Sequence, residues 1–191
     1  AKKLIYQKNS NRKARIILIG SIGKLGEVDA LPFLRELIER DVEEEVRYRA
    51  RRAFQIIALK QPEDSRFTIA QAIVHDMAKL GESSMRFLTG AVRKVIKSLP
   101  PDRIVILIKS LTSMVREHPE PYTRLKSIKM IANLLPVLHK KDAIASVKVI
   151  IDSLRDSSIL VREEALLSLW KRIPSVLLCL DDYRSILGNI I

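Results

Sequence analysis

Apolar residues recur along this chain at helical spacing, not strand spacing. In the stretch from Asp29, the residues Ala30, Leu34, Leu37 and Ile38 fall on one helical face, and Asp29 is placed to cap that helix. Pro32 is tolerable in its opening turn. Asp41 marks a corner. Glu43, Glu44 and Glu45 then put negative charge at the positive end of a second helix, which buries Val46, Ala50, Ala53, Phe54 and Ile57. Further breaks fall at Pro62, at Gly81, at Pro100-Pro101 with Asp102 as cap, at Pro119 and Pro121, and at Lys140 to Asp142. The pattern predicts helices over 12–25, 29–39, 43–60, 64–79, 83–98, 102–116, 121–139, 142–154 and 158–172, with a last one over 181–190. Pro136 is expected to kink its helix and Pro174 to end one. No strand-like alternation survives this parsing.

The helix pairs repeat. The stretch RDVEEEVRYRARRAF (40–54) returns as RDSSILVREEALLSL (155–169), an interval of three periods of about 38 residues. Arg47, Arg86, Arg124 and Arg162 hold one column. Three residues later stand the small side chains Ala50, Thr89, Ser127 and Ala165, expected to let neighbouring second helices approach closely. Leu34, Ile73, Leu111 and Val149 form an apolar column, and Ala30, Ile69, Leu107 and Ala145 another, one helical turn away. One hairpin cannot bury its apolar stripe alone, so consecutive hairpins must stack.

These columns, with Ile22-Gly23-Lys24-Leu25-Gly26 followed by Ala30-Leu31-Pro32-Phe33-Leu34, resemble HEAT-repeat proteins of the type first noted in phycobilisome lyases. The resemblance implies an all-α fold: a right-handed α-α superhelix, or solenoid, of about four helical hairpins plus flanking helices. Read so, residues 1–191 form a single domain with units over 27–60, 62–99, 101–139 and 141–173, flanked by helices 12–25 and 181–190. The family pattern sets an Asp six positions before an Arg, as in Asp41/Arg47 and Asp156/Arg162. Those four residues are expected to be architectural. Leu80 and His118 replace the Asp in the second and third units, so a continuous Asp–Arg ladder is not expected there.

Composition adds one abnormal number. The 34 Lys and Arg against 22 Asp and Glu leave a formal charge of +12, spread along the chain with a bias to its first third. Such a surface attracts anionic partners: an acidic protein, nucleic acid or a lipid headgroup. Only 5% of residues are aromatic, in keeping with helices. The single cysteine, Cys179, has no partner for an internal disulfide and reads as a small buried hydrophobe. No apolar run approaches the roughly 20 residues of a membrane span. A cytoplasmic protein that does not enter the membrane is the expectation.

Candidate chemistry is sparse. His75, His118 and His139 lack metal-ligand spacing and read as surface or packing residues, and no metal or cofactor is expected. One HEAT-like family, that of deoxyhypusine hydroxylase, binds iron through His-Glu dipeptides, and this chain has none. Gly20, Gly23 and Gly26 read as close helix packing, not as a nucleotide cradle. HEAT-like alkylpurine DNA glycosylases are a remote resemblance. The only tryptophan, Trp170, reads as core or edge packing and not as a lesion contact.

What remains is a binding surface. In HEAT-like solenoids the second helices line the concave face. Their polar positions here are cationic: Arg49, Arg51 and Arg52 in the first unit, and Arg86, Arg93, Lys94 and Lys97 in the second. Lys126 and Lys129 follow in the third, and Lys171 and Arg172 in the fourth. Arg86, Gly90, Arg93 and Lys97 step by four, three and four, along one stripe. The sequence therefore predicts a non-catalytic scaffold that holds a partner protein in a basic concave groove. The alternative is a nucleic-acid-binding module that contacts the phosphate backbone there. The apolar C-terminal ILGNII either folds back, pairs with another subunit to give an oligomer, or precedes further chain.

Overall fold

The computed structural model describes residues 12–77 and 82–177, with side chains over 12–77 and 90–171. The predicted last helix, the ILGNII terminus, Cys179, Leu80 and the side chain of Thr89 lie outside those residues. The chain is all-α, without a strand among the described residues. In order come α1 (Arg12–Leu25), a 3-10 turn (Val28–Ala30), α2 (Leu31–Arg40), α3 (Glu44–Lys60), α4 (Glu63–Asp76), α5 (Glu82–Lys97) and α6 (Pro101–Glu117). Then follow α7 (Pro121–Leu134), a 3-10 turn (Leu135–Val137), α8 (Lys140–Asp152), a 3-10 turn (Ser153–Arg155) and α9 (Ile159–Leu177).

The helices fall into two compact units, divided between Leu99 and Pro100. In the first, α3 packs on α1, α2 and α5, and α5 packs on α2 and α4. Two helical hairpins, α2–α3 and α4–α5, thus stack through their second helices. The core holds Leu34, Ile38, Val46, Ala50, Phe54, Ile57, Ile73 and Ile96, all 2% exposed or less. In the second unit α7 packs on α6 and α9, and α9 on α8. Leu107, Leu111, Ile128, Ile131, Ile150 and Val161 fill that core. Each unit is therefore a pair of stacked hairpins, the elementary step of a helical repeat.

Local chemistry explains several boundaries that differ from the sequence pattern. Asp29 does not cap α2. It lies inside the 3-10 turn, and α2 starts at Leu31 behind Ala30, which has no side-chain acceptor. Asp102 likewise sits in the first turn of α6, one residue past Pro101, where its charge meets the positive helix end. Pro136 does not kink a continuous helix. α7 stops at Leu134 and the proline occupies the following 3-10 turn, which tolerates its missing N–H. α9 runs past Pro174 to Leu177, so the one amide that proline removes falls in the last turn.

Gly26 ends α1 in the left-handed region (φ +77°), its N–H bonded to the Ile22 carbonyl at 3.1 Å. Gly23 lies where α1 crosses α3: a Cβ there would meet Ala53 at 3.1 Å. Gly20 is different. It faces open space, so its place in the glycine series is not a packing requirement.

Candidate functional site

The corners between helices come first, because they fix the directions of the second helices. At Asp41 the carboxylate accepts the Glu43 N–H at 2.9 Å and the Arg15 guanidinium of α1 at 2.9 Å. At Asp156 it accepts the Ser158 N–H at 2.8 Å and both ends of the Arg124 fork at 2.8 Å. His118 holds the equivalent corner with its ring: Nδ1 accepts the Glu120 N–H at 3.1 Å. Each corner uses a short acceptor to close a two-residue turn.

Arginines then brace the corners from the helix side. Arg162 donates to the carbonyls of Asp156 and Ser157 at 2.8 and 3.0 Å. Arg124 donates to those of His118 and Pro119, both at 2.8 Å, while also gripping Asp156 of the next hairpin. Its side chain is only 10% exposed and that of Asp156 only 11%. The Arg124 hydrogen bonds hold the Asp156 carboxyl below the usual carboxylate range, against the opposing effect of burial. The Asp156 hydrogen bond raises Arg124 in turn. Arg47 is half-buried in the first turn of α3. Sequence spacing missed Arg15 as a bracing residue and gave Arg124 no carboxylate partner, because their carboxylates come from 26 and 32 positions downstream instead of six upstream.

In the first unit the open side of α3 carries Tyr48, Arg52, Ile56 and Leu59, at steps of four, four and three. The three apolar members are 37%, 44% and 38% exposed. Arg52 is exposed and forms no ion pair among the described residues. The other predicted cations of α3 behave differently. Arg49 is engaged by Glu45 at 2.7 Å. Arg51 lies over the Tyr48 ring at 5.0 Å and against α5, where a Cβ on Gly90 would come 3.2 Å from Nη1. Beside it, Gln55 Nε2 donates to the Gly90 carbonyl at 2.8 Å. On α5 the side chains of Arg93, Lys94 and Lys97 are exposed while Ala91, Val92, Val95 and Ile96 are buried.

In the second unit Lys126 sits over the Tyr122 ring at 4.7 Å, and Lys129 approaches Glu164 of α9 at 3.6 Å. Lys171 is exposed. The side chains of Arg86 and Arg172 lie outside the described ones. The predicted cations therefore divide: Arg52, Lys94, Lys97 and Lys171 meet solvent without an ion pair among the described residues, whereas Arg49 and Lys129 are answered by carboxylates within their own unit.

Trp170 is not core or edge packing. It is 79% exposed, on an α9 face that also presents Ile159, Leu166 and Leu167 at 46–60%. Ser127 is fully buried, its hydroxyl pointing to the Met114 sulfur of α6 at 3.8 Å, inside its own hairpin. On the opposite side of the second unit, α6 and α8 leave an open cavity of about 390 Å³ floored by Val105, Ile108, Ala145 and Val149. His75 is exposed, its Nδ1 3.2 Å from Asp76. No cluster of three or more metal-ligating side chains occurs among the described residues. No helix among them is long and apolar enough to cross a membrane.

No family model matches the sequence, and no curated protein is significantly similar to it. Among solved structures the chain is similar to a designed armadillo repeat protein, with 17% identity over 92% of this chain and 86% of that one, at a TM-score of 0.42. It is also similar to an engineered protein, with 15% identity over 88% of this chain and 77% of that one, at a TM-score of 0.38.

Proposed function

We propose that this protein is a non-catalytic scaffold of HEAT-type repeats, and that it binds a partner protein on the basic faces of its second helices. One observation carries this reading. Arg52 is exposed in one row with the exposed Tyr48, Ile56 and Leu59 of α3, Lys94 and Lys97 are exposed on α5, which packs on α3, and none of the three cations forms an ion pair among the described residues. Cations left without internal carboxylates, next to dry contact area, are what a protein partner needs for both steering and adhesion. The corner geometry supports the HEAT assignment, since an Arg reaching back to corner carbonyls recurs at Arg124 and Arg162. A cytoplasmic location belongs to the same reading and rests on the low cysteine content.

The second reading is a nucleic-acid module that holds a phosphate backbone on the same faces; the exposed Arg93, Lys94 and Lys97 of α5 favour it. A contact with about six phosphates would lose roughly a thousandfold in affinity between 50 and 200 mM salt. The test compares the wild-type protein with R52E/K94E/K97E. Nuclease-treated cell extract is passed over both, and duplex DNA and RNA are titrated at both salt concentrations. The scaffold reading expects specific proteins retained by the wild type and lost by the variant, with no duplex binding at 200 mM. An unchanged protein set, or a steeply salt-dependent gel shift, refutes it.

A further inference from the structure

We infer that the open face of α3, with the neighbouring edge of α5, is a docking site for an acidic amphipathic helix. This rests on the scaffold reading and specifies its partner. Tyr48, Arg52, Ile56 and Leu59 form a stripe of eleven residue steps, about 16 Å along the helix. That is three turns, the length over which a docked helix presents anchors at i, i+4, i+7 and i+11. The opposite side of α3 is filled by Val46, Ala50, Phe54 and Ile57, so the stripe is not needed for the fold's own core.

Two further contacts shape this floor. Gly90 has no side chain, and Arg51 lies in the space where one would stand, held over Tyr48 at 5.0 Å. Gln55 spends its amide on the Gly90 carbonyl. Arg51 thereby covers one face of the Tyr48 ring and Gln55 is drawn to α5, while Ile56 and Leu59 stay exposed.

Charge decides the partner's sign. Arg52 stands within the stripe, Lys94 and Lys97 are exposed on α5, which packs on α3, and none of the three forms an ion pair among the described residues, while Glu45 on α3 is already bound by Arg49. A basic or neutral helix would leave these cations unanswered at the rim. A helix with apolar residues on one face and Asp or Glu along its flanks answers them, at a gain mainly in association rate and specificity. Nucleic acid is disfavoured at this spot, because Ile56 and Leu59 supply aliphatic contact, which phosphates do not use.

The probe is a fluorescein-labelled helical peptide of about 18 residues, long enough to cover the stripe. It carries Leu on one face and Glu on both flanks. A second peptide has every Glu replaced by Lys, and a third has the acidic composition scrambled. Anisotropy titrations use the full chain as wild type, R52E, L59D and K148E, with urea midpoints recorded for each. The acidic amphipathic peptide binds, and R52E and L59D each weaken it by about tenfold or more, whereas K148E on α8 leaves it unchanged. Equal binding of the basic or scrambled peptide overturns the site, as does competition by duplex DNA at equal charge, or equal loss in K148E. With the same extract passed over L59D, a protein partner that L59D keeps and R52E/K94E/K97E loses sinks this site but leaves the scaffold reading standing. No partner retained by the wild type sinks both.

Discussion

The Arg124 guanidinium meets both oxygens of Asp156 at 2.8 Å, joining α7 to the corner that precedes α9. Two more of its hydrogen bonds end on the carbonyls of His118 and Pro119. One side chain therefore ties two successive corners of the second unit together. Removing either partner leaves a largely buried charge unanswered, at a cost of about 3 kcal/mol. R124M and D156A should each lower unfolding free energy by about that amount, read by urea denaturation. The double variant should cost clearly less than the sum of the two. Additive losses would show that the pair is not a unit.

Acid should attack the same link. The Asp156 carboxyl is held below its ordinary range by Arg124, so its folded-state value lies below its unfolded value. Its contribution is then complete above the unfolded value of about 4. It fades as pH falls from there through the folded value, because the unfolded chain takes up the proton first. Wild type should lose stability between neutral pH and pH 3 more steeply than D156N, measured as the difference in urea midpoints. Parallel curves would contradict the assignment.

Two glycines one turn apart on α1 should respond in opposite directions. A methyl at Gly23 meets Ala53 Cβ at 3.1 Å and its Cα at 3.2 Å, atoms that cannot yield without moving α3. G23A should destabilise by about 1–3 kcal/mol. A methyl at Gly20 has nothing within 4 Å. G20A should stabilise by up to about 1 kcal/mol through helix propensity alone. Thermal melts of both variants check the pair.

Arg35 links α2 to α4 by meeting Asp76 at 2.7 Å, and it also bonds Glu39 at 2.7 Å. Burial works against the charge, and the two carboxylates together outweigh it and raise the guanidinium. R35M should weaken the first unit by about 1 kcal/mol, a loss that shrinks in high salt because the pair is partly exposed. A loss independent of salt would assign the effect to the arginine's packing instead.

The helical pattern was legible because its signal is strong: Leu34, Ile73, Leu111 and Val149 are one column in sequence, and all four are buried. The second-helix core of Val46, Ala50, Ala53, Phe54 and Ile57 reads equally well. Single positions read less well. Ile69 and Ala145 share an apolar column with the buried Leu107, yet Ala145 is exposed and Ile69 half-buried, since the packing neighbour differs from hairpin to hairpin. Caps failed at Asp29 and Asp102 because a 3-10 turn or a proline shifted the helix start by a residue or two. The cationic positions were visible as residue types, but their state was not. Spacing alone does not reveal that Arg51 turns into the gap above Gly90 while Arg52 faces solvent. Nor does it foretell the exposure of Trp170, which depends on what lies against α9.

The ring of His118 has a further chemical consequence. Its Nδ1 accepts the Glu120 amide hydrogen, so the neutral imidazole must carry its own hydrogen on Nε2. Nitrogen NMR should therefore find this ring in a single tautomer, while the exposed His139 is free to exchange between both. Alkylating reagents that need a bare ring lone pair should find none at either nitrogen of His118 as long as the turn stays closed.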